Sequence, residues 1–253
     1  MKKISVVIIT FNEEKNIQRC IESVKDIADE IVVLDSFSAD RTEEICKAYD
    51  VKFFQHKFDG HIQQKNRALD LAENDYVLSL DADEALDETL KKKILRIKNN
   101  LQSDAYYFNR MTNYLGKWIK HTDWYPDRKL RLWNRKKGKC GGDNPHDHVI
   151  MNQGTKKTYL KGNLLHFSYY SIHQHIEQIN FFTDIGAAEA FKKGKKVSIP
   201  MIYLKSLWKF FNSYFLRLGF LDGYYGYLVC RLSAQAKFLK YAKLRELHKN
   251  AQE

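Results

Sequence analysis

The sequence predicts an α/β fold, a mostly parallel sheet with helices on both faces, followed by a C-terminal helical extension. Short apolar runs at 4–9, 30–34, 51–54 and 76–80 alternate with stretches of helical periodicity, the rhythm of parallel strands joined by covering helices. Unusual polar groups gather where these runs end: Thr10, Asn12 and Glu13, then Asp35 and Ser36, then Asp81 and Asp83. In open parallel sheets, ligands bind outside the carboxyl ends of the strands. The 253 residues, 44% of them hydrophobic, suffice for one large α/β domain with an extension or for two small domains.

Residues 4–9 (I-S-V-V-I-I) form a near-continuous β-branched run, the signature of a strand covered on both faces. Thr10-Phe11-Asn12 turns the chain, and Ile17, Cys20, Ile21 and Val24 recur at helical spacing, so a helix is expected over 13–25. A second strand at 30–34 ends in Asp35, and a polar turn at 36–40 follows. Asp40 with Glu43 resembles a capping box opening a helix at 41–49. A third strand at 51–54, a helix at 62–72, a fourth strand at 76–80 and a helix at 88–98 complete the regular part. The pattern then changes. Segments 105–108 and 128–133 read as strands, and 135–148 reads as loop from its Gly, Lys and Asp content. A short strand at 164–168, a helix at 171–191 and a basic hinge at 192–196 lead on. From 201 to 232 apolar and aromatic residues are dense, and Gly219, Gly223 and Gly226 divide them into two helices.

The formal net charge of +11 is unevenly spread: residues 192–253 hold 13 Lys and Arg against 3 Asp and Glu, while 1–191 hold 29 against 28. A basic tail of this kind suits nucleic acid, anionic lipid or an acidic substrate. Cys20, Cys46, Cys140 and Cys230 are far apart with no C-x-x-C spacing, so they read as reduced residues of a cytosolic protein. Met1-Lys2-Lys3 leads into an apolar run too short for a signal peptide, and no apolar run is long enough for a transmembrane helix.

The fourth strand delivers Asp81, Ala82, Asp83 and Glu84 in succession. Neighbouring carboxylates repel and are expensive to desolvate, and a divalent cation or a solvated turn relieves them. The small Ala82 lets Asp81 and Asp83 approach one anionic ligand with a hard cation between. The plainer alternative is a strand end ahead of an acidic helix start at Asp87 and Glu88. No Gly-rich dinucleotide fingerprint follows the first strand, and no Walker-type G-K-[ST] loop is present, so a nucleotide must be held differently.

The runs V-V-I-I-T-F-N-E-E from Val6 to Glu14, D-S-F-S-A-D-R-T from Asp35 to Thr42 and L-D-A-D-E from Leu80 to Glu84 resemble, in order and spacing, the nucleotide-sugar half of glycosyltransferase family 2. The later W-Y-P, R-L-W-N-R, P-H-D-H-V and L-L-H-F-S-Y segments resemble the branch that includes lipopolysaccharide-core glucosyltransferases. The resemblance implies a GT-A (Rossmann-like) fold. It implies transfer of a sugar, glucose by resemblance, from a UDP-sugar to a bacterial cell-surface glycan or lipid-linked acceptor, with inversion. It also implies a catalytic domain over 1–195, with a nucleotide-sugar half at 1–100 and an acceptor half at 101–195, and a basic aromatic helical extension over 196–253. Carried over residue by residue, Thr10 and Glu13 border the base and ribose, with Asn12 between them. Asp35 accepts hydrogen bonds from uracil or ribose, Asp81 faces the ribose and Asp83 the metal. Lys65 stands where the family usually has Arg and approaches the base or diphosphate, keeping the charge but losing the planar fork.

A sugar diphosphate leaves as a highly charged anion, which Mg²⁺ or Mn²⁺ stabilises. Such ions take oxygen ligands, and Mg²⁺ needs only one or two protein carboxylates beside phosphate and water, so Asp83 suffices. His166 is a second candidate ligand, one that suits Mn²⁺ better, and a hydrogen-bonded structural histidine is the other reading of it. Inversion needs a base for the acceptor hydroxyl. The resemblance puts it at Asp147, within Pro145-His146-Asp147-His148, where relatives often carry Glu; Asp143 and Asp127 are rivals. Trp118, Trp124, Tyr125 and Trp133 serve either a sugar face or the core. The C-terminal helices suit the anionic inner face of the cytoplasmic membrane, with packing on the catalytic domain or a homodimer interface as the alternatives. A nucleotidyltransferase would share the sheet but should carry a Gly-rich basic loop after the first strand. A nucleic-acid binder would explain the tail but not the strand-end carboxylates, which repel phosphate, so no nucleic-acid partner is expected.

Overall fold

The computed structural model describes residues 2–143 and 146–251, without the side chains of residues 143 and 146–147. The chain runs through β1 (Ile4–Thr10), α1 (Ile17–Val24), β2 (Glu30–Asp35), α2 (Thr42–Lys47), β3 (Lys52–Gln55) and α3 (His61–Asp70). It continues with β4 (Tyr76–Asp81), β5 (Glu84–Leu86), α4 (Glu88–Lys98), β6 (Ala105–Tyr114), β7 (Lys117–Trp118) and β8 (Asp127–Asn134). Then come β9 (Gly138–Asp143), β10 (His146–Met151), β11 (Lys157–Tyr169), α5 (Ile172–Lys192), α6 (Ile199–Phe211) and α7 (Gly223–Asn250). Contacts divide the chain into two units, Met1–Met111 with Asp127–Phe167, and Thr112–Pro126 with Ser168–Glu253.

In the first unit the strand order is β3-β2-β1-β4-β8-β6-β11-β5. The first four strands are parallel neighbours, whereas β8 joins β4 and β6, and β11 joins β5, antiparallel. This is the α/β architecture the sequence predicts, with an antiparallel half added. Period-two alternation in β1 explains its apolar run: Val6 and Ile8 pack with Ile17, Cys20, Ile21 and Val24 of α1, while Val7 packs with Val32, Val77 and Ala68 on the other face. Burying each such side chain contributes about 1.5–3 kcal/mol.

Three local expectations need correction. First, α1 begins at Ile17 rather than 13: residues 14–16 form a turn, with the Glu13 carbonyl accepting from both Asn16 and Ile17 N–H. The capping box at Asp40 and Glu43 does not form. The Asp40 carboxylate instead accepts from Thr42 N at 3.0 Å and from Glu14 N at 3.0 Å, tying two loops together. Lastly, the segment read as loop at 135–148 contains β9 and the start of β10, an antiparallel hairpin in which Asp147 pairs with Gly142. The Asn66 amide holds it down, donating to Cys140 O at 2.9 Å and accepting from Cys140 N at 3.0 Å.

In the second unit, the end of β6 pairs with β7, and α7 packs against α5 and α6. Tyr114, Ile119 and Val229 form one buried cluster, with Trp124, Tyr169 and Tyr225 against it; Ala187, Ala190 and Leu244 form another. As expected, α6 and α7 are separate helices. The first turn of α7 lies so close to the preceding turn that a Cβ on Gly226 would sit 2.0 Å from the Gly219 carbonyl oxygen. Trp133 is fully buried in the core of the first unit, and Trp124, partly buried, packs against the Tyr114 cluster. Among the described residues, no helix is long and apolar enough to cross a membrane.

Candidate functional site

The sheet aligns the strand-end polar residues of the first unit in a row. Thr10 lies opposite Asp35 on one side of β1, and Ile9 opposite Asp81 on the other. The strand order reverses direction at β1 and β4, the place where an open sheet leaves a crevice. Thr10 is 5% exposed, and its hydroxyl has no partner among the described residues. A buried polar atom left in this way is costly unless a ligand satisfies it.

The loops leaving β1 and β2 are zipped together. Asn12 N donates to Ser38 Oγ at 2.8 Å, Ala39 N donates to Asn12 Oδ1 at 2.8 Å, and Glu13 N donates to Thr42 Oγ1 at 2.8 Å. Asn12 has a φ of +54°, a conformation Asn tolerates better than most residues. Asp35 is fully buried and accepts from Ser38 N at 2.9 Å, from the Ser38 hydroxyl and from Gln55 Nε2 at 3.1 Å.

Asp81 is the electrostatic centre. The Lys65 ammonium lies 3.1 Å from its Oδ1 and the Arg131 guanidinium 2.9 Å from its Oδ2. Burial opposes ionisation, yet these two cations outweigh it and hold the carboxyl well below the usual carboxylate range. Arg131 also reaches Glu84 Oε1 at 2.8 Å, and Glu84 Oε2 accepts from Asp81 N at 3.0 Å. The buried Glu84 thereby closes the D-A-D-E turn and fixes the direction in which Asp81 leaves it.

Asp83 meets His166, with Nε2 3.1 Å from Oδ2. Two backbone features bring them together: His166 pairs with Glu84 in the β5–β11 ladder, and Phe167 N donates to Asp83 O at 2.9 Å. Glu13 faces the same negative field. Burial and the charges of Asp83, Asp40 and Asp81 push its carboxyl up to about 7, against a bond from the Asn16 amide.

Among the described residues no group of three or more His, Cys, Asp or Glu gathers as a metal cage. The Asp83–His166 pair fits a cation that takes its other ligands from phosphate and water. The unpartnered Thr10 hydroxyl fits a ligand in the same row. Thr10, Asn12, Glu13, Asp35, Lys65, Asp81, Asp83 and His166 thus all lie at the ends of β1, β2, β4 and β11 or on α3. The side chains of Asp147 and Asp143 lie outside the described residues. Asp127 is held in ion pairs by Arg110 at 2.8 Å and Lys129 at 3.3 Å.

Sequence reasoning gave Glu84 no role beyond the carboxylate run and missed Arg131 and Asn66. A single cation between apolar neighbours in K-L-R-L-W was the available signal for Arg131. It also missed two exposed rings at the loops, Phe11 at 57% and Phe37 at 56% exposure.

The model of the family described as glycosyl transferase family 2 matches residues 5–164. A Rickettsia typhi protein named an uncharacterized glycosyltransferase is 35% identical over 98% of this chain and 88% of its own. The lipopolysaccharide core biosynthesis glycosyltransferase LpsC of Rhizobium meliloti is 27% identical over 97% of this chain and 93% of its own. Among solved structures, S. aureus TarS 1-349 matches with a TM-score of 0.46 at 16% identity, over 98% of this chain and 92% of that one.

Proposed function

The chain belongs to glycosyltransferase family 2, and on that premise we propose that it transfers a sugar from a UDP-sugar, with inversion, to a hydroxyl of a cell-surface glycan or lipid-linked acceptor. The observation that carries this reading is the row of groups at the strand ends: an unsatisfied Thr10 hydroxyl, an ionised Asp81 between two cations, and the Asp83–His166 pair. A nucleoside diphosphate offers hydroxyls and ring donors to the first two. Its diphosphate, with Mg²⁺ or Mn²⁺, suits the third. Similarity to a protein named for lipopolysaccharide core biosynthesis supports the acceptor class.

In this reading Thr10, Asn12, Glu13 and Asp35 border the nucleoside, and Lys65 keeps Asp81 ionised and aimed at the ribose. Asp83, with His166, would hold the cation, which when bound offsets negative charge gathering on the leaving diphosphate. Asp147 would take the proton of the acceptor hydroxyl. The enzyme would work in the cytoplasm, its second unit resting on the inner face of the cytoplasmic membrane where a lipid-linked acceptor is presented.

Calorimetric titration with UDP, GDP and dTDP, with and without Mn²⁺ or Mg²⁺, tests the donor site. UDP should bind best, and binding should depend on the cation. Asp83→Asn should weaken cation-dependent binding by about 10-fold or more without lowering Tm, since it relieves repulsion around Asp81 and Glu13. Transfer that continues undiminished in excess chelator would refute the metal assignment.

A further inference from the structure

Phe37 is a bulky residue in a backbone conformation that suits glycine. Its φ is +63°, the left-handed region in which a Cβ crowds the chain. The turn around it is fixed from both sides. Ser36 N donates to Thr10 O at 2.9 Å, and Ser38 N donates to the Asp35 carboxylate at 2.9 Å. Glycine or asparagine would serve such a turn without strain. Nor does the fold recover the strain by burying the ring, which is 56% exposed.

One residue therefore carries both a strained backbone and an exposed aromatic face, a pairing that suits a ligand contact better than a packing role. Its position says which part of a ligand it would meet. Across the sheet the order is β2, β1, β4. The Asp83–His166 pair lies past the end of β4, Asp81 and the Thr10 hydroxyl at the ends of β4 and β1, and the Phe37 ring on the loop leaving β2. A nucleoside diphosphate is graded in the same sense, from charged diphosphate through hydroxylated ribose to a flat, apolar-faced base.

We propose that Phe37 is a stacking platform for the nucleobase of the donor, a contact that rests on reading this crevice as a nucleoside-diphosphate site. Every base has a π-face, so the contact contributes affinity and orientation, while polar groups choose among bases.

The test sets stability against binding. Phe37→Gly should leave Tm equal to or above that of the wild type, since glycine relieves the positive φ, yet weaken UDP about tenfold, the order of a lost base–aromatic stack. Inorganic pyrophosphate with Mn²⁺ should bind both proteins equally. Phe37→Tyr, with the same strain and a ring retained, should keep wild-type affinity for UDP. Wild-type UDP affinity in Phe37→Gly overturns the proposal alone, as does an equal loss of UDP and pyrophosphate, which marks a collapsed loop instead of a lost stack. A folded wild-type chain that binds no nucleoside diphosphate overturns the reading of the crevice as well.

Discussion

A carboxyl raised to about 7 in the folded chain, from an ordinary value of 4.5, leaves a signature in stability, and Glu13 is such a group. Burial and three neighbouring carboxylates favour its protonated form, so the folded state binds this proton more tightly than the unfolded state does. Its contribution is fully present below about pH 4.5 and is lost as pH rises through about 7. Glu13→Gln removes this loss. The variant should match the wild type near pH 4.5 and exceed it in Tm at pH 8, measured by thermal unfolding without cation or nucleotide. A constant difference across the range would show that Glu13 does not titrate in that window. The sequence made Glu13 legible as a site residue, since it ends the T-F-N-E run, but not its protonation. That depends on Asp40, Asp81 and Asp83, which only folding brings near it.

Most elements through α4 are legible because they bury residues on a short period, as Ile17, Cys20, Ile21 and Val24 do on α1; the edge strand β3 buries none fully. β5 is not legible, since it is three residues long and its partner β11 lies far along the chain. The β9–β10 hairpin is hidden for another reason. Among the described residues, Cys140, Val149 and Met151 join it to the core, too few to stand out as an alternation, and it is pinned by Asn66 from a helix many residues earlier. This hairpin carries the backbone of Asp147, so the proposed base sits on a paired strand. Strands hold a side chain's origin more firmly than loops do. Asp147→Asn should lower turnover by about 100-fold while UDP affinity measured by calorimetry stays unchanged, because a base acts only in the transition state. Near-normal turnover would move the role to Asp143, since Asp127 is already engaged by Arg110 and Lys129.

Over the whole chain, charge and exposed apolar surface concentrate in the same segment. Residues 192–253 hold 13 Lys and Arg against 3 Asp and Glu. One of those acids, Asp222, is buried and spent on Lys120 N, His121 N and the His121 ring. On α6 and the turn after it, Leu204, Leu207, Trp208, Leu216 and Leu221 are each between 56% and 67% exposed, beside Lys205 and Arg217. An apolar face bordered by cations suits the boundary of an anionic bilayer, where each nearby Lys or Arg gains about 1 kcal/mol. Deleting 197–253 would be a poor test, because it strips Val229 and Leu244 from the clusters of the second unit. Leu207→Glu with Trp208→Glu is better, since both side chains are already exposed and Tm should hold. The intact chain should sediment with vesicles containing anionic lipid, less so as salt rises, and not with neutral vesicles; the double variant should stay in the supernatant. An intact chain that ignores anionic vesicles would sink the membrane reading. If it instead sediments as a dimer that the double variant dissociates, this face is the contact between two copies of the chain.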